Sequence, residues 1–249
     1  MFTDIVKISK ADLYKEPKYI EKNYNIHFTQ NIEKNFYDQI SKYFDQYFIY
    51  KDRDFYTDMK SVTRATQNLM SHGTKESGTD KHRSLEHILD ISGKYRTVCS
   101  EAAKVSTVFW QLLGYKSRVV WGGNHVMTEV YNDKFKKWVL VDSDGGVYGK
   151  HNGKLLNFLE AREFSRKGKN VFVDVVTNNL VEDPKYNIDL YARTQFFVLI
   201  DANNLFDFHN KFRDPLYILK YIFLDTENEI NGLQSDEPNY QKLGNKEII

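Results

Sequence analysis

"TVCSEAAKVSTVFWQLLGYKSRVVWGGNHVMTEVYNDKFKKWVLVD", residues 97–142, decides how this chain reads. Its first half has a helical pattern. Ala102, Ala103, Val105, Phe109, Leu112 and Leu113 form an apolar stripe, and Gly114 marks its end. Its second half has the shorter period of strands, in "SRVVW", "HVMTEVY" and "FKKWVLVD". Cys99, the only cysteine, stands where the helix opens. His125 begins the second strand and Asp142 ends the third.

A thiol attacks as its thiolate, and the N–H groups of a helix N-terminus favour a negative sulfur. Thr97 and Ser100 are both candidate caps, which puts Cys99 in or just before the first turn. The same N–H groups are able to hold an oxyanion. Strand alternation sets His125, Met127 and Glu129 on one face, and Trp138, Leu140 and Asp142 on one face of the next strand. A hairpin with Asp133-Lys134 at its tip pairs Asn132 with Phe135 and puts His125 directly opposite Asp142. An aspartate in that place fixes the imidazole tautomer, and the histidine moves the thiol proton. Taken singly, each residue has a plainer role: a small buried cysteine, a satisfied histidine, an aspartate opening a turn. Together and in order, they read as a Cys-His-Asp triad.

Around this stretch, "NIEKNFYDQISKYFDQYFIY" (31–50) and Met59 to Met70 have helical spacing. Residues 73–83 form a polar loop, and "SLEHILDIS" (84–92) is a short helix capped by Ser84. "NVFVDVV" (170–176) and "TQFFVLIDA" (194–202) read as strands, and "DPLYILKYIFL" (214–224) as a helix. Helices first and strands after indicate an α+β fold. No linker interrupts residues 1–249, so the expectation is one domain. It comprises a helical segment at 1–58, a core at about 60–150, strands and a helix at 165–230, and a polar tail at 231–249.

The 249 residues, 41% hydrophobic and 15% aromatic, suffice for a packed core and exclude a disordered chain. A net charge of +1 gives no field to gather nucleic acid or anionic lipid. A single cysteine, no basic-then-apolar leader and no long apolar run point to a cytoplasmic protein without a membrane span. His82 and His87 miss the spacing of helical metal ligands. "DSDGG" (142–146) lacks the further acids of a calcium loop, and no glycine-rich phosphate loop is present. Neither a metal nor a cofactor is therefore expected.

The order and flanks of these residues resemble the transglutaminase-like superfamily of cysteine enzymes. The likeness runs from about Ser84 to Gly146: "CSEAAKVSTVFWQLLGYKSRVV", then H-x-x-x-E-V as "HVMTEV", then W-x-x-x-D as "WVLVD". It implies a papain-like core, with the nucleophile helix packed on an antiparallel sheet. It also implies Cys99 as nucleophile, His125 as base and acid, and Asp142 as orienting group. Trp138 would be a structural residue beneath the site and Glu129 a supporting one, while Arg118 would support the sheet. Arg96, Thr97 and Val98 depart from the pattern, where glycine often stands, as do Val126 and Met127, where an aromatic is common. Gln67, on the preceding helix, has the chemistry of an oxyanion donor, although an exposed helix glutamine is the plainer reading.

The function expected is acyl transfer from an amide or acyl-bearing substrate through a thioester, to water or to an amine. Two alternatives stand beside it. One is an arylamine-type acetyl-coenzyme A dependent acyltransferase. The other is a non-catalytic binding module on the same fold.

Overall fold

The computed structural model describes residues 10–24, 28, 52–69, 71–72, 96–97, 99–121, 125–181 and 198–200. The helices expected at 31–50, 84–92 and 214–224, the loop at 73–83 and the tail lie outside them. Five helices are described: α1 (Lys10–Leu13), α2 (Pro17–Tyr24), α3 (Phe55–Leu69), α4 (Cys99–Leu112) and α5 (Phe158–Arg166). The strands are β1 (Ser71–His72), β2 (Arg96–Thr97), β3 (Ser117–Trp121), β4 (Val126–Asn132), β5 (Lys137–Asp142), β6 (Val147–His151), β7 (Lys154–Leu155), β8 (Phe172–Asp174) and β9 (Val198–Ile200). The main sheet runs β9-β3-β4-β5-β6-β7, with β8 also on β6, and its pairings are antiparallel. The short parallel pair β1–β2 leads the chain into α4. The fold is α+β.

Both faces of the sheet are covered. Val130, Val139 and Val141 pack with Met59, Val62, Val105 and Phe109 of α3 and α4. Met127, Trp138 and Leu140 pack on the other face with Leu13, Ile20, Phe158 and Ala161 of α1, α2 and α5. That is why β5 reads as an unbroken apolar run rather than a polar–apolar alternation. Helix α4 lies between α3 and the sheet, so it is buried all round from Glu101 to Gln111. The single apolar stripe expected for it is therefore too narrow a description. Its polar groups are absorbed by the sheet instead: the Thr107 hydroxyl lies 3.1 Å from that of Thr128, and Ser117 donates to the Thr107 carbonyl.

Other boundaries also differ from expectation. Helix α3 opens at Phe55 rather than Met59, because the Asp54 carboxylate accepts the Thr57 N–H at 2.7 Å and caps it. Strand β8 covers only Phe172–Asp174 of the 170–176 run. There the Asp174 side chain accepts the N–H groups of Val176 and Thr177 and turns the chain. The β4–β5 hairpin has a four-residue tip, and Asn132 pairs with Lys137, not Phe135. The Asn132 side chain accepts from Lys134 and Phe135 N–H, and Lys136 closes the turn at a φ of 49°. This moves the register by two, an even step that keeps every side chain on its face. His125 and Asp142 are therefore diagonal rather than directly opposite, a separation that long side chains bridge.

One cluster locks the second layer. Arg118 and Glu129 are cross-strand partners, both side chains fully buried, with Arg118 Nη2 donating to Glu129 Oε2 at 2.6 Å. The other Glu129 oxygen accepts from the Tyr14 hydroxyl and from the Phe158 N–H at the start of α5. Arg118 also donates to the Leu13 carbonyl, and its guanidinium carbon lies 3.9 Å from the Trp138 ring centroid. Trp138 in turn donates to the Lys15 carbonyl. Burial, then the Glu129 charge, raises the Tyr14 phenol well above its ordinary pKa, so it stays a donor.

Glu129→Ala would leave a buried guanidinium without its charge partner. Urea denaturation is expected to record a loss of about 3–5 kcal/mol. Asp133→Ala, at the exposed Lys136–Asp133 pair, should leave the midpoint unmoved.

Candidate active site

Cys99 is the first residue of α4 and is half-buried, which puts it at the helix N-terminus. His125 precedes β4 by one residue. Its Nε2–H donates to Asp142 Oδ2 at 2.7 Å, and both side chains are buried. The Cys99 sulfur lies near enough to the same ring to favour its charged form. Thiol, imidazole and carboxylate therefore lie together.

Asp142 has two tasks. Its Oδ1 accepts the Gly145 N–H at 3.1 Å and closes the turn into β6, while Oδ2 holds His125. The turn aspartate and the histidine partner, opposed readings in the sequence, are one residue with both oxygens used. Gly146 completes this turn at a φ of 68°, in the left-handed region. A Cβ there would also lie 2.8 Å from Gln67 Nε2.

Gln67 is exposed on α3, and its amide donates to the Asp144 carbonyl at 3.4 Å. Glu129 and Trp138 belong to the Arg118 cluster, through which they hold β3, β4 and β5 against α1 and α5. Ser143, which sequence reasoning missed, is buried beside Asp142, with its hydroxyl 2.8 Å from that of Ser106 on α4. Among the described residues, no group of three or more His, Cys, Asp or Glu is placed to hold a metal ion. No described helix is long and apolar enough to cross a membrane.

Burial works against the His125 imidazolium. The Asp142 carboxylate, through its charge and its hydrogen bond, and then the Cys99 sulfur outweigh that cost. The His125 pKa consequently lies well above its ordinary value of 6.5. A buried positive charge beside the sulfur, steadied by a carboxylate behind it, is an arrangement suited to proton transfer.

Comparison with protein-family models and with curated proteins yields no match. A solved structure described as "Crystal structure of a TGase" aligns at 16% identity and a TM-score of 0.35, over 57% of this chain and 41% of that one. The match thus spans less than half of that protein, and a likeness of this degree carries no argument about activity.

His125 gives a pH test with a definite sign. Its folded pKa is raised, so its stabilising contribution is complete below about 6.5 and is lost as pH rises through the folded value. Asp142→Asn keeps a side-chain oxygen for the Gly145 N–H but removes the charge, which leaves burial dominant. NMR titration of the His125 ring should then show its pKa falling below 6.5 in this variant, with the fold retained.

Proposed function

We propose that this chain is a cysteine-dependent acyl-transfer enzyme with a transglutaminase-like, papain-like core. Cys99 is the nucleophile, His125 the base and acid, and Asp142 the orienting group. The observation that carries this reading is the buried 2.7 Å His125–Asp142 bond, on a ring whose charged form the Cys99 sulfur at the start of α4 also favours. No plainer role of the three residues accounts for all of those contacts at once.

In this mechanism His125 already holds the proton of the Cys99 thiol, and the sulfur attacks the acyl carbonyl as the thiolate of that pair. The N–H groups at the N-terminus of α4 stabilise the oxyanion. Collapse of the tetrahedral intermediate breaks the bond to the leaving amine, which takes the proton from His125 and departs, leaving a thioester on Cys99. Water or a second amine then attacks the thioester and gives a proton to His125. The thiolate leaves beside the protonated His125, which restores the starting pair and yields an acid or a new amide. Asp142 keeps the ring in one tautomer throughout and steadies its charged form. The substrate class is an amide or another acyl compound.

The test uses an activated acyl donor, p-nitrophenyl acetate, and intact-mass measurement of the protein. An acetyl adduct should form on the wild type and be absent from Cys99→Ala. His125→Ala should form it about 100- to 10,000-fold more slowly. Equal rates of adduct formation in wild type and His125→Ala would exclude the mechanism and leave a binding module.

A further inference from the structure

The contacts that hold α4 against the sheet are of two kinds. Apolar contacts from Ala102, Val105, Val108 and Phe109 bind it tightly but without direction, so they oppose sliding only weakly. Hydrogen bonds are directional and fix position along the axis. Among the described residues, Thr128 donates to the Ala103 carbonyl, Thr107 meets Thr128, Ser117 donates to the Thr107 carbonyl, Gln111 donates to the Ser117 carbonyl, and Ser106 meets Ser143 at 2.8 Å.

The last of these differs from the others in what it joins. Ser106 lies seven residues after Cys99, about two helical turns, and so on the same side of α4. Ser143 follows Asp142 directly in the chain. A single bond between two buried hydroxyls therefore links the helix that carries the sulfur to the strand end that carries the carboxylate. Together with the contacts through His125 it closes a ring: sulfur, imidazole, Asp142, Ser143, Ser106, and back along α4 to Cys99.

We propose that Ser106 and Ser143 are positioning residues, a latch that sets the distance between Cys99 and the His125–Asp142 pair. This rests on the acyl-transfer reading above. Neither serine touches the reacting atoms in this scheme; the pair acts through the placement of α4. A displacement of about 1 Å between reacting groups costs roughly 100-fold in rate, so a single directional bond at this point governs reactivity.

The experiment uses the full chain in five forms: wild type, Ser106→Ala, Ser143→Ala, the double Ser106→Ala/Ser143→Ala, and His125→Ala. For each, the thermal midpoint and the rate of Cys99 alkylation by iodoacetamide are measured across pH. Each single variant leaves one buried hydroxyl unpaired and should lower the midpoint, whereas the double removes both and should regain most of it. The latch predicts that the double still reacts about tenfold or more slowly at pH 6, while its rate at strongly alkaline pH matches wild type. A double variant that recovers wild-type reactivity at pH 6 along with its midpoint would overturn the latch. If a single variant fails to fold, the double still decides the matter. Should wild type and His125→Ala react alike, the acyl-transfer reading itself falls, an outcome distinct from failure of the latch alone.

Discussion

The Arg118–Glu129 pair is the constraint on which the rest of the structure depends. Both side chains are fully out of water, so each charge is tolerable only with its partner and its full set of hydrogen bonds in place. Those bonds come from distant parts of the chain: the Leu13 carbonyl, the Tyr14 hydroxyl and the Phe158 N–H. Satisfying the pair therefore fixes where α1 and α5 lie on the sheet. It also matches the β3–β4 register, since Arg118 faces Glu129 across that ladder. Register at β3–β4 in turn fixes where β4 begins, and His125 stands one residue before it.

From that frame the candidate site follows by short steps. The β4–β5 hairpin brings the end of β5 toward the start of β4, and a diagonal pair of long side chains spans the gap. Asp142 cannot swing away, because its other oxygen is the acceptor that closes the turn into β6. Gly146 permits that turn through its positive φ, and Gln67 packs where a Cβ would stand. A ring held this firmly on one side lies near the helix that opens at Cys99, whose sulfur helps to raise its pKa. The polar contacts of the site are thus supported by turn chemistry on one side and by a buried helix on the other.

Much of this was legible in the sequence. The three runs that became β3, β4 and β5 were visible from their apolar and β-branched content, and Gly114 marked the end of α4 correctly, at a φ of 90°. The hairpin register was misread by two because Asn132 folds its side chain onto its own turn, yet even periodicity kept His125 and Asp142 near each other. Two signals were present and passed over. Asn157 and Glu160 form a reciprocal capping box that opens α5, and Asn152-Gly153 is a two-residue turn, both φ positive, that joins β6 to β7. Other features had no local signal at all. Tyr14 meets Glu129 from 115 residues away, and Ser106 meets Ser143 across 37, so only the tertiary fold reveals them. Glu101 and Lys104 would be assigned to a wet face by any helical wheel, but the packing of α4 between α3 and the sheet overrides it.

The central claim is that the Cys99 sulfur and the His125 ring act as one unit. The alkylation rate of Cys99 by iodoacetamide, followed from pH 5 to pH 10 in wild type and in His125→Ala, tests it most directly. The account predicts that wild type reacts rapidly at and below neutral pH, where His125 carries its proton, and that His125→Ala loses this low-pH reactivity. Superimposable profiles would contradict it, because a sulfur indifferent to the ring beside it is not a nucleophile prepared by that ring.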